Sequence, residues 1–202
     1  AQYLEFIDDY KITSNKPINK LIISVPQNHN FPDDKVIKKR YNSRKIVTVT
    51  RFDFPHKGYL LGLIDDFALL KNKIPDLKLT VIGYGVGERE LRKKISNYNI
   101  SIMQDIELVG EVASEELVSY FNESKVFIGL AGALLDAVSF ALPSIVVRHY
   151  TKKCEAYGFY HSNSSKIISE TPGSPTNAYL EEIMSMDETN YIRLSKITYE
   201  EY

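Results

Sequence analysis

Along most of this chain, short runs of aliphatic and β-branched residues alternate with stretches that repeat at helical spacing. Residues 46–49 form an apolar β-branched run of the kind that fills a buried strand. Residues 59–70 then carry a long apolar helical pattern closed by Lys71 and Lys73. After a turn at Pro75 and Asp76, residues 77–82 alternate and end in Gly-Tyr-Gly-Val-Gly at 83–87. Residues 88–95 predict a helix with Glu88 and Glu90 early and Arg92, Lys93 and Lys94 late, the order the helix dipole favours. A strand is expected at 106–109, and Ser114 reads as the cap of a helix running to Phe121. A strand at 126–129, a helix at 131–140 and a strand at 144–147 behind Pro143 complete the series. Strands alternating with helices of this length predict βαβ units, that is, a parallel sheet with helices on both faces.

The flanks read differently. Residues 1–19 are polar, with Tyr3, Leu4, Phe6 and Ile7 as their clustered apolar face, and 21–25 is a strand candidate stopped by Pro26. Residues 27–44 read as a polar, loop-like connection whose cations, Lys35, Lys38, Lys39, Arg40 and Arg44, are expected in solvent. Residues 161–175 are rich in Ser, Asn, Gly and Pro and predict loop, with only 166–168 strand-like. Thr176 is expected to cap a helix over 177–185, followed by a second from about Asp187 to the end.

Composition narrows the class. A charged share of 25% and a net charge of −1 are those of an ordinary globular protein, so nothing global demands nucleic acid. No apolar run approaches the roughly 20 residues of a membrane helix. The opening residues lack the charged-then-apolar order of a secretory signal. A single cysteine, Cys154, excludes an internal disulfide framework and fits a reducing compartment. These features predict a cytoplasmic domain, with the inner face of the membrane as an alternative site of work.

In parallel sheets ligands bind outside the carboxyl ends of the strands, which singles out the loops at 50–58, 83–87, 110–114, 129–132 and 148–158. The first carries Arg51, and Lys57 beside Gly58, at the end of a strand and before a helix. A guanidinium and an ammonium converging there suit a diphosphate; the alternative is two solvated loop cations. The Gly83–Gly85–Gly87 series lacks the spacing of a dinucleotide fingerprint and suggests a sharp turn with close backbone approach to a ligand. Gly129 and Gly132 lead into a helix whose amino end is a natural phosphate cradle. Asp136 lies one turn further, placed either to grip ribose hydroxyls or to form a surface salt bridge. Cys154, His29, His56, His149 and His161 show neither metal-ligand spacing nor nucleophile–base pairing, so structural or solvated roles are expected.

Four segments in order carry a family resemblance: VTVTRFDFPHKG, LKLTVIGYGVGEREL, IELVGEVASEEL and GALLDAVSFALPSIVV. Over 45–147 the chain resembles the donor-binding half of GT-B glycosyltransferases, in particular the family 4, glycogen-synthase-like enzymes. The resemblance implies a Rossmann-like three-layer α/β/α domain with a mostly parallel sheet, one half of a GT-B fold, followed by C-terminal helices. It implies that Arg51 and Lys57 are the catalytic cations on the donor diphosphate. Gly83, Gly85, Glu111, Val112, Gly132 and Asp136 are then substrate-binding, with Gly110, Glu111 and Val112 against the base and Asp136 on the ribose. Three positions depart from the pattern. Thr50 replaces the glycine before the arginine, Asp136 is one methylene shorter than the usual glutamate, and the family's first glutamate falls at Ile128.

The resemblance also implies a division into 1–44, connecting from an upstream domain, 45–175, the donor domain, and 176–202, helices packing back. The implied reaction is transfer of a sugar from a nucleoside-diphosphate donor to a saccharide or lipid-linked acceptor held by an N-terminal domain. No cofactor or metal is expected, and the isolated domain is expected to be inactive. The alternatives are an inactive nucleotide-sugar-binding module, a GT-B-fold sugar-nucleotide epimerase, or an assembly domain with no small ligand.

Overall fold

The computed structural model describes residues 30–202; the expectations for 1–19 and 21–25 lie outside the described residues. Its elements in chain order are α1 (Asp34–Asn42), β1 (Lys45–Val49), α2 (Tyr59–Lys71), β2 (Lys78–Ile82), α3 (Glu88–Ile95), α4 (Ile100–Met103) and β3 (Ile106–Gly110). There follow α5 (Ser114–Glu123), β4 (Val126–Gly129), α6 (Ala131–Ser139), β5 (Ser144–Val147), β6 (Glu155–Phe159), β7 (Ser174–Pro175), α7 (Asn177–Ser185) and α8 (Glu188–Glu201). The sheet order is β3-β2-β1-β4-β5-β6-β7. The strands from β3 through β5 pair in parallel, while β6 and β7 add antiparallel.

Alternation along the strands splits the core between the two faces. Ile46, Leu79, Val81, Val126, Ile128, Ile145 and Val147 pack with α2, α3, α7 and α8. Val47, Ile82, Phe127 and Val146 pack with α5 and α6. The chain leaves β1 toward β2 and β3 on one side and reaches β4 and β5 on the other. The carboxyl ends of β1 and β4 therefore border the crevice where such sheets take ligands.

Three local expectations are corrected. Residues 34–42 are helix rather than loop: Asp33 caps it, its carboxylate accepting from the Val36 N–H at 2.9 Å, and Ile37 and Arg40 are buried. The stretch reads as solvated because only those two residues turn inward, and one of them is charged. The cap before α5 is Ala113, whose N–H is accepted by the Glu116 carboxylate at 3.0 Å, so Ser114 is the first helical residue. The expected strand at 166–168 is instead the end of a 3₁₀ turn, Ser164–Lys166, followed by buried Ile167. No described helix is long and apolar enough to cross a membrane.

Candidate active site

The loop after β1 continues the parallel ladder beyond the strand. Thr50 donates its N–H to the Ile82 carbonyl and Phe52 to that of Tyr84, each at 2.9 Å. Phe52 is buried, so its neighbour Arg51 faces solvent. The chain then tightens, Lys57 N–H to Asp53 O at 2.7 Å and Gly58 N–H to Pro55 O at 3.0 Å, which leaves Lys57 half-buried just before α2. Gly58 is required here, since a Cβ would stand 2.6 Å from the Thr151 carbonyl oxygen. Burial holds the Lys57 ammonium below the usual lysine range, with Arg51 pushing the same way and Asp53 opposing. Among the described residues neither the Arg51 nor the Lys57 side chain has a hydrogen-bond or ion-pair partner. Two cations at one strand end, with only the exposed Asp53 near them and no ion pair to either, are arranged to receive an anion.

The glycines divide into two kinds. Gly83 has φ +140°, and a Cβ there would lie 1.8 Å from the Thr50 carbonyl oxygen. Gly85 has φ +154°, with the Phe52 carbonyl oxygen 2.7 Å from a Cβ. Both therefore seat the 83–87 turn against the Arg51 loop, and the close approach they permit is to backbone of this chain. At Gly132, exposed at the start of α6, a Cβ would meet nothing within 4 Å. That end of α6 is open on the side where a ligand would approach.

The remaining predicted residues spread along the same rim. Gly110 accepts from Gly83 N–H at 2.7 Å, Glu111 is exposed, and Val112 packs partly against the α5–α6 core. Asp136 is half-buried on α6, and its charge, after burial, helps raise the phenol of Tyr202 above the usual tyrosine range. The tyrosine that feels this charge stands at the end of α8. Ile128 is fully buried in β4, and no carboxylate stands at that point.

The segment at 148–153, part of a loop expected at this edge but with no residue assigned a role, and the segment at 167–171, not expected there, close one side of the site. Tyr150 N–H donates to His56 O at 3.2 Å, His149 N–H to Ser169 O at 3.0 Å, and Ala131 N–H to Ile167 O at 2.8 Å. The Tyr150 hydroxyl lies 3.2 Å from His56 Nε2, and the His56 and His149 ring centroids are 5.9 Å apart. Burial, then Lys57 and His56, push His149 down to about 4. These histidines meet only in the fold; the usable signal was that each stands in a loop following a strand. Cys154 is buried and its thiol pushed above the usual range, which does not suit a nucleophile. No group of three or more His, Cys, Asp or Glu among the described residues is placed to hold a metal.

The family model described as Glycosyl transferases group 1 matches residues 30–155. No curated protein matches. Among solved structures, the chain is similar to a TarM variant of S. aureus in complex with fondaparinux, alpha-GlcNAc-glycerol and UDP, at 14% identity and a TM-score of 0.67, covering 98% of this chain and 38% of that one. It is similar to the C-terminal domain of a glycosyl transferase group 1 family protein, LpcC, from Francisella tularensis, at 15% identity and a TM-score of 0.58. That match covers 85% of this chain and 92% of the other. The pneumococcal O-GlcNAc transferase GtfA, in complex with UDP and GlcNAc, matches at 17% identity and a TM-score of 0.53, over 76% of this chain and 32% of that one. The chain thus spans well under two thirds of TarM and GtfA but corresponds to a single domain of LpcC. Its strand order, the place of its two unpaired cations and a family match over more than half its length lead to one statement: this chain belongs to the glycosyl transferases group 1 family and has the Rossmann-like fold of a GT-B C-terminal domain.

Proposed function

We propose that this chain is the donor-binding part of a glycosyltransferase, holding a nucleoside-diphosphate sugar at the carboxyl ends of β1 and β4. The observation that carries the reading is the pair Arg51 and Lys57, whose side chains have no ion-pair or hydrogen-bond partner among the described residues, at the point where the strand order reverses. The two cations offset charge as the diphosphate leaves the sugar, and they do so in fixed positions, which is where electrostatic stabilisation is most effective. The open amino end of α6 at Gly132 supplies backbone N–H groups on the other side of the diphosphate. Asp136 takes the ribose hydroxyls, and Glu111 and Val112 border the base. The acceptor, a saccharide or lipid-linked glycan, is held by a separate domain, consistent with the share of TarM and GtfA that this chain spans. Holding donor and acceptor together is worth about 7–11 kcal/mol of barrier, so 1–202 alone transfers no sugar. A cytoplasmic place of work follows from this reading and from the single cysteine.

Ile128 favours a second reading. A fully buried isoleucine where the family has its sugar-facing glutamate suits a module that binds the donor without transferring from it. Calorimetric titration with uridine, guanosine and adenosine diphosphates tests what the two readings share. Arg51→Ala or Lys57→Ala should each weaken binding by about 1.5–3 kcal/mol. If both variants bind like the parent, the diphosphate does not sit on this loop. Transfer by the longer enzyme then separates the readings.

A further inference from the structure

His149 sits on the loop after β5, its side chain 16% exposed, against the loop that carries Lys57. Among the described residues its ring nitrogens make no hydrogen bond; the nearest carboxylate oxygen, Glu170 Oε1, is 3.9 Å from Nδ1. A half-buried imidazole whose ring nitrogens make no hydrogen bond within the fold keeps both of them available to a ligand. Its position is fixed from three sides. His149 N–H is held by Ser169 O, Tyr150 N–H by His56 O, and the Tyr150 ring packs on both histidines, at 4.2 Å from His56 and 4.3 Å from His149. The charged and titratable groups facing it are Lys57 and His56 from the β1 loop, Tyr150 on its own loop and Glu170 from the 167–171 segment. Its neighbour Arg148 is neutralised by Glu155 at 2.7 Å. His149 is thus the third nitrogen group beside the proposed anion site, held in place with its ring nitrogens free of hydrogen bonds and only the Glu170 carboxylate, at 3.9 Å, facing Nδ1.

We propose that His149 contacts the donor's diphosphate as an imidazolium, so that donor binding takes up one proton from solvent. The inference rests on the donor-binding reading above. Before binding, burial, and then Lys57 and His56, disfavour the charged ring, and the imidazole is neutral at pH 7. A diphosphate placed between Arg51, Lys57 and His149 reverses the sign of the local field, and the ring then charges and donates an N–H to a phosphate oxygen. The folded, free ring has a pKa of about 4 and the bound ring a higher one, so affinity rises as pH falls between them.

The probes are UDP-glucose, GDP-mannose and ADP-glucose, whose diphosphate diesters do not themselves titrate near neutrality. Titration calorimetry of the unmodified protein in buffers of different ionisation enthalpy reads proton uptake directly. The expected result is uptake approaching one proton, with affinity about three- to tenfold higher near pH 6 than near pH 7.5. H149Q should remove the uptake and flatten the pH profile, whereas H56Q should keep both. Imidazole NMR of the unmodified protein, which does not depend on any variant folding, should show the His149 ring titrating at higher pH once a probe is bound. Binding that R51A weakens but that shows no proton uptake overturns the role of His149 and leaves the donor site standing. Uptake lost in H56Q but kept in H149Q overturns it too. No binding of any probe at any pH overturns both readings.

Discussion

The two ends of the sheet use the same kind of side chain for opposite purposes. At the amino end of the strands Arg40, Lys125 and Lys71 are buried, and each donates to at least one main-chain carbonyl, with Lys71 also paired to Asp105 at 2.5 Å. Arg40 donates to Phe140 O at 2.8 Å, where α6 ends, and to Asn122 Oδ1 at 2.6 Å, near the end of α5. Lys125 donates to Tyr41 O at 2.6 Å in the last turn of α1, with its ammonium 4.4 Å from the Tyr41 ring centroid. Lys71 donates to Leu77 O at 2.9 Å, and Arg44 to Met184 O at 3.2 Å as α7 closes. In a parallel α/β layer the connecting helices run back against the strands, so their carbonyl-rich carboxyl ends collect at this edge and attract cations. At the other edge helix amino ends collect, and Arg51 and Lys57 stand among positive dipole ends with no acceptor. A cation that completes a helix end serves stability; a cation placed against the field serves a ligand. The 260 Å³ cleft lined by Tyr41, Arg44 and Lys125 belongs to the first kind.

Breaking the first kind should have the largest effect. Arg40→Ala leaves the Phe140 carbonyl and Asn122 unpaired in the interior and opens the space of a fully buried side chain. It should cost about 4 kcal/mol in urea unfolding. Arg51→Ala and Lys57→Ala, measured alongside, should leave stability unchanged or slightly raised, because the burial that lowers the Lys57 pKa penalises its charged form in the fold. By linkage that penalty is full below the folded pKa of Lys57 and is relieved as pH rises toward the unfolded value. Equal destabilisation by Arg40→Ala and Lys57→Ala would erase the contrast between the two ends.

The next effect sharpens the division among glycines. Gly83→Ala forces a Cβ to 1.8 Å from the Thr50 carbonyl oxygen at φ +140°, so it should lower stability by about 3 kcal/mol and shift the Arg51 loop. Thermal unfolding and nucleoside-diphosphate affinity should fall together. Affinity lost without any loss of stability would restore the ligand-contact role that the glycine pattern suggests.

What was legible in the sequence follows from how local each signal is. The strands from β1 through β5 and the helices between them show as apolar runs and helical periods, because both are set by which face a residue turns to the core. Arg51 and Lys57 were legible for the same reason: a strand end followed by a helix fixes a loop's place in the layer. Arg40 was read as solvated because its burial depends on α5 and α6 ending opposite it, which no local pattern reports. Strand β6 was missed because EAYGF, with Gly158 at φ +121°, becomes a strand only through antiparallel pairing with β5. The neighbourhood of His149 and His56 and the influence of Asp136 on Tyr202 arise from packing between distant segments. The resemblance found the arginine–lysine loop; it could not show that the glycines of the next loop serve that loop's packing.

The smallest effect tests the far wall of the site. Gly132 is the second residue of α6, exposed, with open space where a Cβ would go. Alanine is the better helix former, so Gly132→Ala should raise stability by about 0.5 kcal/mol or leave it unchanged. If the diphosphate rests on the amino end of α6, the new methyl occupies the space through which the backbone N–H groups meet the phosphate. Nucleoside-diphosphate affinity should then fall by about 1 kcal/mol, the cost of one methyl in a close contact. Opposite movements of unfolding midpoint and affinity are thus the signature of a ligand surface, whereas Gly83→Ala moves both downward. An unchanged affinity in Gly132→Ala would confine the diphosphate to the Arg51 and Lys57 side, with the start of α6 merely exposed.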